Sequence, residues 1–284
     1  MQIKKNNILL RTNKKPILID TFFSEEKTNQ PIVIFCHGYK GFKDWGAWNL
    51  MAEHFAKAEF CFIKFNFSHN GGTMEDPIDF PDLEAFGNNN YTKELDDLDA
   101  VINWVQSHFE NNEGVDVNQI CLVGHSRGGG IAILKASEDK RITKLITLAS
   151  VSDFGSRTST IGNLKEWKET GVKYVLNGRT KQRMPHYYQF YEDFIANEKR
   201  LHIESAEKQL TIPHLIIHGS QDTSINISEA KALHHWYTNS EFKIIDNADH
   251  VFNTKHPWDK NELSHELKSV VINAINFMHK KSVL

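Results

Sequence analysis

The sequence predicts an α/β protein in which a mostly parallel sheet is covered by helices on both faces and interrupted by one large insertion. Short apolar runs alternate with helically spaced apolar residues along most of the 284 residues. Four of these runs, 32–35, 120–123, 144–148 and 215–217, are almost continuously apolar. Strands buried on both faces look like that, whereas a sheet with one wet face alternates. A single interval, 154–212, breaks the rhythm and is far longer than an ordinary crossover.

The runs at 7–10 and 16–23 have no helix between them and are expected to form an antiparallel hairpin at one sheet edge. Further strands are expected at 31–36, 60–66, 119–124, 143–149, 214–218 and 242–246. Helices are expected at 45–58, 91–109, 127–137, 227–237 and 261–280. In the second of these, Leu95, Leu98, Val101, Ile102 and Val105 share one face while Glu94, Asp96, Asp97 and Asp99 take the other. The β–α alternation implies right-handed crossovers. The interval 154–212 holds Trp167, Tyr174, Tyr187, Tyr188, Phe190, Tyr191 and Phe194, too aromatic for a linker. It is expected to be a helical cap on a core made of 1–153 and 213–284, with the segment 68–90 as the opposite rim.

Charge and composition exclude several function classes. The chain has 33 basic and 36 acidic side chains, a net charge of −3. Non-specific nucleic-acid binding would need a strong basic excess. No apolar run approaches the ~20 residues of a membrane span. The first twenty residues lack the apolar region of ~7–15 residues that a secretory signal carries. The expectation is a cytoplasmic protein that engages neither membrane nor nucleic acid. Cys36, Cys61 and Cys121 each sit inside an apolar run and read as core residues. No CxxC pair or HExxH pattern points to a metal.

Chemistry concentrates in three places. Gly124-His125-Ser126-Arg127-Gly128 fits G-x-S-x-G and joins a buried strand to a glycine-rich helix start. Such an elbow needs small neighbours because the nucleophile's backbone is sharply turned. A serine hydroxyl also needs a base and a group that orients the base. Asp222 follows one late strand and His250 follows the last, in the chain order Ser…Asp…His, although Asp246 and Asp249 compete as the acid. Both positions lie at carboxyl ends of strands, where open α/β sheets bind ligands. The third place is the His37-Gly38-Tyr39-Lys40-Gly41 loop after the third strand. Backbone N–H groups of Tyr39 and Arg127 are the expected donors to an oxyanion, and His37 is expected to brace the loop.

Together, His37-Gly38, Gly124-His125-Ser126-Arg127-Gly128, His218-Gly219 with Asp222, and Asp249-His250 resemble the α/β-hydrolase superfamily. The HGxxG loop and the insertion are similar to its serine-aminopeptidase-like and dienelactone-hydrolase-like branch, which includes cinnamoyl esterases. The resemblance implies a mostly parallel eight-stranded sheet, no cofactor, and a cap closing over the nucleophile. The sequence departs from the branch in two places. Dienelactone hydrolases proper carry a cysteine at the elbow, where this chain has Ser126. The apolar residue and proline usual after the acid are Ile225 and Asn226 here.

The implied substrate is a small acyl ester, with Tyr187, Tyr188 and Tyr191 expected to bind it. At helical spacing, Tyr187, Tyr191 and Phe194 also suit the insertion's own core. A peptidase would need an acid in the cap for the substrate amine, with Glu192 and Asp193 as candidates. Thioester cleavage, or a non-catalytic binding role on the same scaffold, also stays open at the level of sequence. Residues 157–208 carry ten basic and seven acidic side chains, so a basic cap could steer anionic acyl groups.

Overall fold

A computed structural model describes residues 1–159 and 161–280. In chain order the core begins with β1 (Gln2–Arg11), β2 (Lys14–Phe23), β3 (Gln30–Cys36), α1 (Trp48–Lys57), β4 (Cys61–Phe65), α2 (Leu83–Gly87) and α3 (Tyr91–Phe109). It continues through β5 (Val115–His125), α4 (Arg127–Glu138) and β6 (Ile142–Leu148). The insertion holds α5 (Gly155–Ser159), α6 (Leu164–Thr170), β7 (Val172–Leu176), β8 (Arg183–Tyr187), α7 (Gln189–Ala196) and α8 (Ile203–Lys208). The chain then returns to the core with β9 (His214–Gly219), α9 (Ile227–Trp236), β10 (Glu241–Ile245) and α10 (His265–His279).

Eight strands form one sheet in the order β1-β2-β4-β3-β5-β6-β9-β10. The first two pair antiparallel at the edge, as expected, and β2 also runs antiparallel to β4. Every other pair is parallel. The side-chain period of two explains the continuous apolar runs. Ile32 and Ile34 face a core shared with α3, α4 and α9, while Val33 and Phe35 face one shared with α1 and α10. Ile120 and Leu122 of β5 alternate in the same way with Cys121 and Val123. The three cysteines are free and fully buried, and burial pushes each thiol up. Among the described residues, no helix is long and apolar enough to cross a membrane.

Local chemistry sets the helix starts. The Asn90 side chain accepts from Lys93 N–H at 2.9 Å to cap α3, and Ser264 accepts from Leu267 N–H to cap α10. Asn226, which replaces the usual proline, caps α9 by accepting from Ser228 N–H at 2.9 Å.

The insertion corrects one expectation, because it is not purely helical. Among the described residues, four short helices accompany the antiparallel hairpin of β7 and β8. Gly171, at φ 73°, ends α6 in the left-handed conformation and turns the chain into β7. The segment 68–90 packs against the insertion, chiefly through α2 and β8. Its Phe80 and Phe86 pack with Phe42 and Met184, and Gly87 lies so close to the Tyr187 ring that a Cβ there would sit 2.8 Å from it.

A buried ionic cluster ties the loop after β3 to the sheet. Asp20 accepts from Lys43 at 2.9 Å and from Lys64 at 2.6 Å, and Asp44 closes the ring to both lysines. Asp20 and Lys64 are fully buried and Lys43 nearly so. Four charges in alternation satisfy one another where any single one would be prohibitive.

Candidate active site

Ser126 sits between β5 and α4 at φ 56°, ψ −120°, a conformation that L-residues rarely adopt. The surrounding backbone leaves room for no side chain. A Cβ on Gly124 would lie 2.3 Å from Gly128 O, and one on Gly128 would lie 2.3 Å from Cys36 O. Ser126 N–H donates to Leu148 O at 2.9 Å, and Ser126 O accepts from Gly129 N–H at 3.0 Å. The strained residue is therefore held by β6 on one side and by the first turn of α4 on the other.

His250 Nε2 lies 3.1 Å from Ser126 Oγ, and His250 Nδ1 lies 2.8 Å from Asp222 Oδ2. Asp222 thus partners the histidine. Asp249 instead accepts Val251 and Asn253 N–H within its own turn, and Asp246 is exposed. The other Asp222 oxygen accepts Ser224 and Ile225 N–H at 2.8 and 2.9 Å. Burial opposes the Asp222 charge, but hydrogen bonds from His218, His250 and Ile225 outweigh it and hold the carboxyl well below the usual range. An acceptor-only carboxylate on Nδ1 fixes the His250 tautomer and leaves Nε2 facing the serine.

Two further histidines brace these loops. His125 Nε2–H donates to His250 O at 2.9 Å; burial and then the neighbouring His250 push the His125 pKa down to about 3, so the ring is neutral. His37 Nδ1–H donates to Gly38 O at 2.9 Å while its Nε2 accepts Phe67 N–H at 3.2 Å. Burial lowers the His37 pKa to about 4. His37 is therefore a loop brace, as its place in the sequence suggested.

Residues 31–173 match the family model of the alpha/beta hydrolase fold. The chain belongs to the alpha/beta hydrolase family.

Relatives of this hydrolase are distant. A 31.7 kDa Escherichia coli protein of the traX-finO intergenic region is 24% identical over 256 residues, covering 79% of this chain and 84% of the relative. Est1E from Butyrivibrio proteoclasticus, solved with ferulic acid bound, superposes with a TM-score of 0.67 at 19% identity, covering 92% of this chain and 94% of that one. An esterase domain of a Rhodothermus marinus protein gives 0.60 at 17% identity, covering 89% and 91%.

Two cavities of the hydrolase meet at Ser126, Tyr39, Lys40 and His250. The larger, of about 430 Å³, reaches Tyr91, Phe154 and His186. The smaller, of about 210 Å³, is walled by Trp45, Trp48 and Val251. Tyr187, Tyr188 and Tyr191 are not among the described residues lining either cavity, which corrects the sequence expectation. Tyr187 Oη bonds Glu84, while Tyr188 and Tyr191 pack on Trp167, their ring centroids 5.7 and 6.4 Å from it. Apolar faces on α7 and its approach are thus used to fold the insertion. The aromatic wall comes from Tyr39 and Tyr91 instead, with Phe154 stacked on Tyr91 at 3.8 Å.

Sequence reasoning also missed the side chain of Arg127. Its guanidinium lies over the rings of Tyr39, Tyr91 and Phe190 at 4.4, 5.2 and 5.5 Å and pairs with buried Glu94 at 3.4 Å. Cation–π contacts and a desolvated ion pair fix both Arg127 and Tyr39, the two residues expected to supply oxyanion donors. The basic residues of the insertion mostly face elsewhere: Arg179 pairs with Asp79 and Lys173 with Glu166. Among the described residues, Arg157 is the insertion's one basic side chain on the larger cavity.

Proposed function

We propose that this protein is a serine hydrolase of small carboxylic esters that works through an acyl-enzyme. Ser126 Oγ adds to the ester carbonyl carbon as His250 Nε2 takes its proton, and Asp222 stabilises the resulting imidazolium. The N–H groups of Tyr39 and Arg127 hold the oxyanion; a donor of this kind contributes about 3 kcal/mol to lowering the barrier. Collapse breaks the ester C–O bond, and the departing alcohol takes the proton from His250. Water, deprotonated by His250, then releases the acid and restores Ser126.

The observation that carries this reading is the continuous hydrogen-bonded path from Asp222 through His250 to Ser126 Oγ, opening into both cavities. The esterase domain and ferulic-acid complex among the structural relatives agree with an ester substrate. A peptidase reading gains no support. Asp193 accepts from Thr92 Oγ1 at 2.8 Å, Glu192 is exposed, and neither is among the residues lining the cavities. Ser126→Ala is expected to lower turnover of a p-nitrophenyl acyl ester ~10⁴-fold or more while its circular dichroism stays native. Undiminished turnover would refute the reading.

A further inference from the structure

The larger cavity is lined by three cationic side chains, Lys40, Arg127 and Arg157, and by no carboxylate among the described residues. Arg127 and Arg157 have carboxylate partners, Glu94 and Glu229. Lys40 has none within 4.0 Å among the described residues, although it borders both cavities where they meet at Ser126. Its Nζ lies over the Tyr39 ring, 5.0 Å from the centroid, on the same aromatic ring that carries the Arg127 guanidinium. Burial, and then the Arg127 charge, lower the Lys40 pKa.

The backbone gives an independent reason to ask what Lys40 does. Gly41 N–H donates to Gly38 O at 3.0 Å, closing a four-residue turn with Lys40 at its third position and φ 54°. Glycine or asparagine occupies such a position at low cost, whereas a lysine there is strained. A strained, half-buried cation beside the nucleophile has two costs and no carboxylate partner among the described residues.

We propose that Lys40 is a specificity-determining residue that binds a carboxylate carried by the ester substrate. The preferred substrates are then anionic esters. Because Lys40 borders both cavities, the charge is borne either by the acyl part or by the alcohol part. This inference rests on the esterase reading and sharpens its substrate class.

The test compares kcat/KM for two matched pairs. One is 4-nitrophenyl hydrogen adipate against 4-nitrophenyl hexanoate, with the charge on the acyl side. The other is 3-carboxyphenyl butyrate against phenyl butyrate, with the charge on the alcohol side. The wild type should favour the anionic member of one pair about tenfold, the scale of one charge-assisted hydrogen bond. The favoured pair identifies the side that carries the carboxylate. Lys40→Gly should erase that preference while its melting temperature holds or rises, because glycine relieves the turn. Lys40→Arg should keep the preference. Where the acyl pair is favoured, free adipate should inhibit the wild type and hexanamide should not; where the alcohol pair is favoured, 3-hydroxybenzoate should inhibit and phenol should not, measurements that need no variant. Equal rates within both pairs, or a preference that survives Lys40→Gly, would overturn the proposal. Turnover that survives Ser126→Ala would instead overturn the esterase reading beneath it.

Discussion

Asp222 serves two histidines with one oxygen: Oδ2 accepts from His250 at 2.8 Å and lies 3.4 Å from His218 Nε2. His218 is fully buried and also donates to Ile225 O, so it holds the acid's loop rather than reaching substrate. Asp222→Asn removes the charge and inverts the tautomer that His250 must present, and is expected to lower kcat ~10⁴-fold with KM little changed. Steady-state kinetics check it. His125 makes a second residue-scale prediction. Its folded pKa, about 3, lies below the ordinary histidine value of ~6.5, so the unfolded chain binds the proton first as pH falls. The stability that neutral His125 contributes is therefore complete above ~6.5 and is lost as pH drops toward 3. His125→Asn should take up about one proton fewer on unfolding near pH 5. Urea midpoints measured across pH 4–8 check this, and an unchanged slope would contradict it.

The elbow, the cavity wall and the insertion differ in how readily the sequence disclosed them. The elbow was legible because close backbone contact admits only glycine, and Gly124 and Gly128 state that requirement in the sequence. Gly128→Ala, whose Cβ would meet Cys36 O at 2.3 Å, should cost about 3 kcal/mol or more. Gly178→Ala, with nothing within 4 Å, should be near neutral. Chemical denaturation of the two variants separates them. The ionic cluster under the loop after β3 makes a parallel case. Asp20→Asn leaves Lys43 and Lys64 short of a buried counter-charge, and is expected to destabilise by about 3–5 kcal/mol in the same assay. The β7–β8 hairpin was not legible. Tyr174 and Leu176 alternate with other residues as in a strand, yet both point largely into solvent, so the alternation reports no buried face. The cavity wall was hidden for another reason. Tyr39 and Tyr91 lie far apart in sequence and face one guanidinium only after α3 and the loop after β3 have docked.

At the scale of the whole molecule, the sheet was legible because strands buried on both faces are written as uninterrupted apolar runs. The strand order brings the ends of β3, β5, β9 and β10 to one edge, and with them the loop of His37, then Ser126, Asp222 and His250. Charge was less informative at this scale. The basic excess of the insertion is largely spent on pairs with acids, and the cation that matters, Lys40, belongs to the core. The site is non-local, since Ser126 and His250 are 124 residues apart in the chain, so nucleophilicity should exist only in the folded protein. Labelling with a fluorophosphonate probe, read by mass spectrometry of the peptide containing Ser126, tests that claim most directly. One adduct is expected, on Ser126, and its formation should vanish at the same urea concentration as the native circular dichroism. No adduct on Ser126 in the folded protein, or equal labelling of the unfolded chain, would contradict the claim.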